Sequence, residues 1–288
     1  MKLKHTAAWV GLTAAVMVAT AACGGGSAKD TAKEAGKKAG TVADKGVAQI
    51  KAALTRATDR TEQVGSAQVK MTTDLGNGTS VASEGTYSWG DGFAFDLELD
   101  TAQANMQQLQ DDPKMRMLFV DGAYYYDIDP QPSGPIAGKE WMKLDGSALF
   151  GESGAQAMSG SNGSPSASMK GLKYADDVKD LGSETVNGKS TEHYRAVIGP
   201  EKMGQFKDAL SGDDSMMGAV TGGADSIVME VWVGDDDLPV RLVEEIGRLT
   251  VSMDFEKFGR TARVTAPPAS ETGDLTEQFK AAQQKQQG

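Results

Sequence analysis

The residue with the most decisive chemistry is the only cysteine in the chain, Cys23. A lone thiol cannot close an internal disulfide, so its use has to be sought in its surroundings. Lys2 and Lys4 make the start positive, and the stretch from Ala7 to Ala22 is uncharged and mostly apolar. That is the anatomy of a secretory signal, and it is short for a membrane-spanning helix, which needs roughly 20 apolar residues. Thr20, Ala21 and Ala22 precede the thiol directly. Small residues there let a peptidase reach the bond, as in a lipobox, although lipoboxes usually carry Leu where this chain has Thr20. Residues 1–22 are therefore expected to leave as a signal peptide, and the Cys23 sulfur to take a diacylglyceryl group. Two or more acyl chains anchor a protein stably, where one binds a bilayer only marginally. The expected location is the extracytoplasmic face of a cell membrane, in the envelope.

Other reactive constellations are sparse. His5 leaves with the signal, and His193 stands between Glu192 and Tyr194 in a strand-like stretch. No G-x-S-x-G elbow accompanies it. Zinc usually needs several Cys or His ligands, which two histidines and one cysteine do not supply. The run Asp235, Asp236, Asp237 lacks the spacing of a calcium loop with its terminal Glu and reads as a solvated turn. Trp89, Trp141 and Trp232 read as core or rim aromatics. No catalytic residue, metal or cofactor is expected, and the chain reads as non-enzymatic. The formal charge is −11, or about −13 once Lys2 and Lys4 are gone. That disfavours nucleic acid and docking on anionic headgroups.

The elements that must carry any site follow from periodicity. Residues 24–40 hold no large apolar side chain and read, with Cys23, as a flexible tether over 23–40. Val47, Ile50, Leu54 and Ala57 recur at helical spacing, predicting a helix over 41–63 that Gly65 stops. From Ser66 the period is two. Strands are predicted at 66–75, 81–89, 93–99, 115–120, 123–128 and 140–144, with hairpin signals at Asn77–Gly78, Asp91–Gly92 and Asp121–Gly122. Residues 151–168 are Ser/Gly-rich and read as a loop, followed by a helix over 168–178. Further strands are predicted at 184–186, 191–198, 226–233, 239–246 and 249–255, the first two joined by an Asn187–Gly188 turn, with a helix over 201–210 and a loop over 211–224. The last residues, 273–288, read as a polar tail with a short helix. Ten or eleven antiparallel strands with two or three helices make an α+β fold, a curved half-barrel sheet wrapped around helices.

Three C-terminal pieces carry a family likeness: LGSETVNGKSTEHYRAVI (Leu181–Ile198), VWVGDDDLPVRLVEE (Val231–Glu245) and DFEKFGRTARVTAPPASE (Asp254–Glu271). Their order, the early GSAQVKMTTDL strand after a helix and the cysteine motif resemble actinobacterial lipoproteins of the LppX/LprG type, within the LolA/LolB-like superfamily. The resemblance covers roughly residues 45–272. It implies that 41–272 form a LolA-like domain with an apolar cavity between sheet and helices, of the kind relatives use to carry acyl chains. The long loops at 151–168 and 211–224 depart from the pattern.

A lipid site needs only an apolar lining, and burial gains roughly 0.8 kcal/mol per methylene. Alternation nominates Val69, Met71, Tyr87, Phe93, Phe95, Met117, Phe119, Val231, Val251 and Met253 as that lining. Methionine suits an adaptable wall, and the chain has 14. Two functions follow. One is binding or carriage of a lipid, glycolipid or acylated ligand, with an envelope transporter or other protein as partner. The other is an envelope sensor or interaction protein with the same residues packed as a filled core.

Overall fold

Alternating segments of five to ten residues pair here into one sheet, because each has an apolar face that only a neighbouring strand and a covering helix can bury. The computed structural model describes residues 28–149, 155, 164–172, 175, 177–201, 221–259 and 261–287. The chain divides into two units, Met1–Asp44 and Lys45–Gly288, and the sheet belongs to the second. Its strands are β1 (Ser66–Asp74), β2 (Ser80–Ser88), β3 (Ala94–Asp100), β4 (Lys114–Val120), β5 (Ala123–Asp127), β6 (Trp141–Asp145), β7 (Asp177–Val186), β8 (Lys189–Ile198), β9 (Ile227–Gly234), β10 (Pro239–Ile246), β11 (Leu249–Phe258) and β12 (Thr272–Asp274). The helices are α1 (Ala28–Val64), α2 (Pro165–Gly171) and α3 (Thr276–Gln287).

The strand order is β12-β6-β5-β4-β3-β2-β1-β11-β10-β9-β8-β7. Two meanders therefore run outward from a central seam, where β1 pairs antiparallel with β11, from Ala67↔Phe258 to Asp74↔Thr250. The sheet is open, with β7 and β12 as its edges. The β12·β6 pair is parallel and the others antiparallel. Two hairpins use the turn that their sequence demands. Asp121 and Gly122 have φ of 54° and 79°, and Asn187 and Gly188 have 52° and 75°. Positive φ at both central residues is the two-residue turn that matches strand twist.

The structure amends the predicted elements in several places. Helix α1 starts at Ala28, so residues 28–40 are helical where a tether is predicted. That stretch is rich in Ala and Lys, strong helix formers that apolar periodicity does not detect. Leu54 and Ala57 are buried as expected, but Val47 is exposed. The helix predicted over 168–178 lies earlier, at Pro165–Gly171. Ser164 caps it by accepting from the Ala167 N–H, and Pro165 fills the first turn. Residues 177–183 are consequently strand. The three-residue β12 was not expected, since it is too short to show alternation. The helix predicted over 201–210 and most of the loops at 151–168 and 211–224 lie outside the described residues.

Candidate functional site

Strand register assembles the inner face, the side covered by α1, into cross-strand rows. One row reads Tyr194–Val231–Leu242–Met253–Met71 across β8, β9, β10, β11 and β1. A second reads Ala196–Met229–Glu244–Val251–Thr73–Val81. A third, in the other half, reads Val69–Gly85–Leu97–Met117–Tyr126. The fourth reads Ala67–Tyr87–Phe95–Phe119–Tyr124. Gly85 is required where it stands: a Cβ there would lie 2.2 Å from the Asp96 carbonyl oxygen, on backbone.

The predicted lining residues thus come together on one face. Val69, Tyr87, Phe93, Phe95, Phe119, Val231 and Met253 are buried in one core cluster, with Met71 and Met117 packed against it. Val251 shares the face but is only partly buried and lies outside that cluster. The sequence reading missed Leu97, Met115, Tyr124, Tyr126, Met229 and Leu242, which obey the same alternation and belong to the same cluster. It also missed Glu244, whose charge disguises an inward position. Cys23 lies outside the described residues.

The rows differ in how tightly they close. The fourth is buried throughout, and its rings interlock: Tyr87 stacks on Phe95 at 5.4 Å, Phe95 on Phe119 at 5.6 Å, and Phe119 meets Tyr124 edge-on at 4.8 Å. Helix α1 covers this region, and its Thr61 carbonyl accepts the Trp89 indole N–H at 2.9 Å. By contrast, Met71, Thr73, Val81, Met117, Tyr126, Glu244 and Val251 point inward yet stay partly accessible. Burial pushes the Tyr126 hydroxyl up to about 12. Burial also raises the Glu244 carboxyl above its usual range, against a hydrogen bond from Ser168 of α2 that lowers it. Two hollows border the fold elsewhere. One of about 120 Å³ lies between α1 and α2, against Leu54, Met169 and Leu172. The other, an open cleft of about 620 Å³, lies between the end of α1, the β2–β3 and β4–β5 turns and residues 261–264. Phe93 and Phe119 are the two predicted lining residues that reach it.

The outer face carries charge. His193 Nδ1 lies 2.9 Å from Glu184 Oε1 and its Nε2 3.2 Å from Glu230 Oε2. Its ring stacks on Trp232 at 4.0 Å, and the Trp232 indole N–H donates to the same Glu184 oxygen. Arg241 clamps Asp254 with two bonds of 2.6 and 2.8 Å. Burial works to raise the Asp254 carboxyl, but the Arg241 fork and an Asn187 hydrogen bond hold it below its usual range. Among the described residues no group of three or more His, Cys, Asp and Glu is placed to hold a metal ion.

No family model matches the chain. A curated protein of Streptomyces coelicolor named "Putative lipoprotein SCO4650" is 28% identical over 237 residues, covering 78% of this chain and 75% of that protein. Among solved structures, lipoprotein LppX of Mycobacterium tuberculosis aligns with a TM-score of 0.49 at 13% identity, over 75% of this chain and 98% of that one. LprF of Mycobacterium bovis aligns with a TM-score of 0.46 at 11% identity, over 77% and 98%. The chain is similar in sequence to the Streptomyces protein, and what it shares with LppX and LprF is the fold.

Proposed function

We propose that the protein is a membrane-anchored lipoprotein, lipidated at Cys23 on the extracytoplasmic face, that binds the acyl chains of a lipid or acylated ligand along the inner face of its sheet without catalysing a reaction. The observation that carries this reading is the incomplete closure of the inward rows. Met71, Met117, Tyr126 and Val251 sit on interior strands, face the covered side, and keep accessible surface. Interiors normally pack to crystal-like density, so side chains left partly open on such a face suit a guest. Flexible thioethers can re-pack around chains of different length. The name of the Streptomyces relative supports the anchor, as does the run of small residues before Cys23.

The test uses the mature soluble domain stripped of lipid and titrated with cis-parinaric acid, which fluoresces on entering an apolar site. Saturable binding that Val251→Trp weakens at least tenfold, with the melting temperature unchanged, is the expected result. No saturable fluorescence, together with no co-purified lipid in native mass spectra of protein from its own host, would overturn it.

A further inference from the structure

The outer face holds an arrangement that one state of protonation alone completes. His193 of β8 turns each ring nitrogen to a carboxylate: Nδ1 lies 2.9 Å from Glu184 Oε1 of β7, and Nε2 lies 3.2 Å from Glu230 Oε2 of β9. A neutral imidazole has one N–H and one lone pair, whereas the imidazolium has two N–H groups. Glu184 Oε1 also accepts the Trp232 indole N–H, so Nδ1 donates to an oxygen that already acts as an acceptor. Nε2 can donate to Glu230 at the same time only if the ring is protonated. The stack on Trp232 at 4.0 Å holds the ring in this orientation. Its side chain is only 13% exposed, so water has little access to replace a lost partner.

The charges around the ring make its proton matter. On β8 itself, Arg195 Nε lies 3.4 Å from Glu230 Oε1. On β10, Arg241 stands 6.0 Å from the centre of the Trp232 ring, its charge acts on Glu184, and its two bonds go to Asp254 of β11. Deprotonation of His193 removes the positive charge between the two carboxylates, turns a lone pair toward Glu230 and leaves Glu184 bonded to neutral donors alone. Strand β7 feels this most, because it is an edge strand paired only with β8. Its Val178 packs in the core and pairs with Ala196, at the end of the inner row that continues through Met229 and Glu244. Lifting β7 therefore uncovers the end of that row.

We infer that His193 is a proton-operated clamp on the edge strand β7, closed while the ring is protonated and loosened when it is neutral, so that the acidity of the surroundings sets how firmly this end of the sheet is held. The geometry fixes the sense: acid tightens the edge and alkali loosens it. Histidine is the side chain suited to such a device, since imidazoles ordinarily change charge between about pH 5 and pH 8. The chain has two histidines, His5 and His193, and His193 is the one among the described residues.

The experiment follows the mature chain by nitrogen-15 NMR and by amide hydrogen exchange from about pH 5 to about pH 8, with the His193→Gln spectrum identifying the ring signals. At the acid end both His193 nitrogens are expected to carry protons, and Nε2 to lose its proton as pH rises. Over that same interval, amide exchange of residues 177–186, corrected for its intrinsic pH dependence, is expected to quicken about fivefold, the loss of one bond between charged groups. Residues 114–127 in the other half of the sheet are expected to keep their protection. His193→Gln, which donates without titrating, is expected to abolish the step in β7. Glu230→Gln, which keeps the ring and Glu184, is expected to shrink it to about twofold. A histidine titration with no step in β7, or a step that persists at full size in His193→Gln or in Glu230→Gln, would overturn the clamp.

Discussion

The two halves of the sheet obey the same alternation but line their inner faces with different side chains. In β2 to β5 the rings of Tyr87, Phe95, Phe119 and Tyr124 point inward and interlock, stacked from Tyr87 to Phe119 and edge-on at Tyr124. In β8 to β10 the inward residues include Tyr194, Ala196, Met229, Val231, Leu242 and Glu244, with one ring among them, while the Trp232–His193 stack lies outside among carboxylates. Rings have few rotamers and specific contact geometry, so the first half makes a rigid wall. Methionines, branched aliphatics and one carboxyl make the second wall adaptable. The lesson is that hydrophobic patterning decides which face is buried, and side-chain shape decides how that face packs.

The sharpest way to break this contrast is to remove a ring. Phe119→Ala deletes a side chain held by three other rings and is expected to cost about 3–5 kcal/mol in urea unfolding. A cost below about 1 kcal/mol would mean that the aromatic wall is no tighter than its counterpart. On the outer side of the second half, His193→Ala leaves Glu184 and Glu230 without the ring between them. A loss of about 1–2 kcal/mol is expected, from charged hydrogen bonds and the stack on Trp232.

Two carboxyls on opposite faces of this half should then respond to pH with opposite sign. The folded state depresses the Asp254 pKa. Its contribution is present above the unfolded value near 3.9 and fades as pH falls through the folded value. Asp254→Asn should therefore cost about 1 kcal/mol at neutral pH and flatten part of the acid limb. Glu244 is raised, so stability falls as pH climbs from the unfolded value near 4.3 toward the folded one. Glu244→Gln should remove that loss and stabilise the protein at neutral pH, a smaller effect read from melting curves at pH 4 and pH 7.

Much of this architecture was legible in the chain because its local rules are consistent. The Asn187–Gly188 and Asp121–Gly122 turns, the strand Pro239–Ile246 and the face shared by Val69, Met71, Met117 and Met253 all follow from alternation and turn chemistry. What was hidden depends on partners distant in sequence. Nothing local in Ala67 announces Phe258 as its neighbour. Strand β12 exists because β6 offers it an edge. Glu244 reads as solvated until its register with Met229 and Val251 turns it inward. The helical stretch 28–40 escaped because backbone propensity, and not an apolar stripe, supports it.

The seam between β1 and β11 also sets an order of events. Strand β1 is among the first to be synthesised, yet one of its two edges finds its mate only after Phe258 has been made. Until then the first meander ends in a bare hydrogen-bonding edge along β1, the kind of edge that recruits other chains. Closing so long a loop is slow compared with forming hairpins. Truncation before Leu249 should therefore yield an aggregating chain in place of a smaller soluble one, and any factor that shields β1 during biogenesis would govern yield more than final stability.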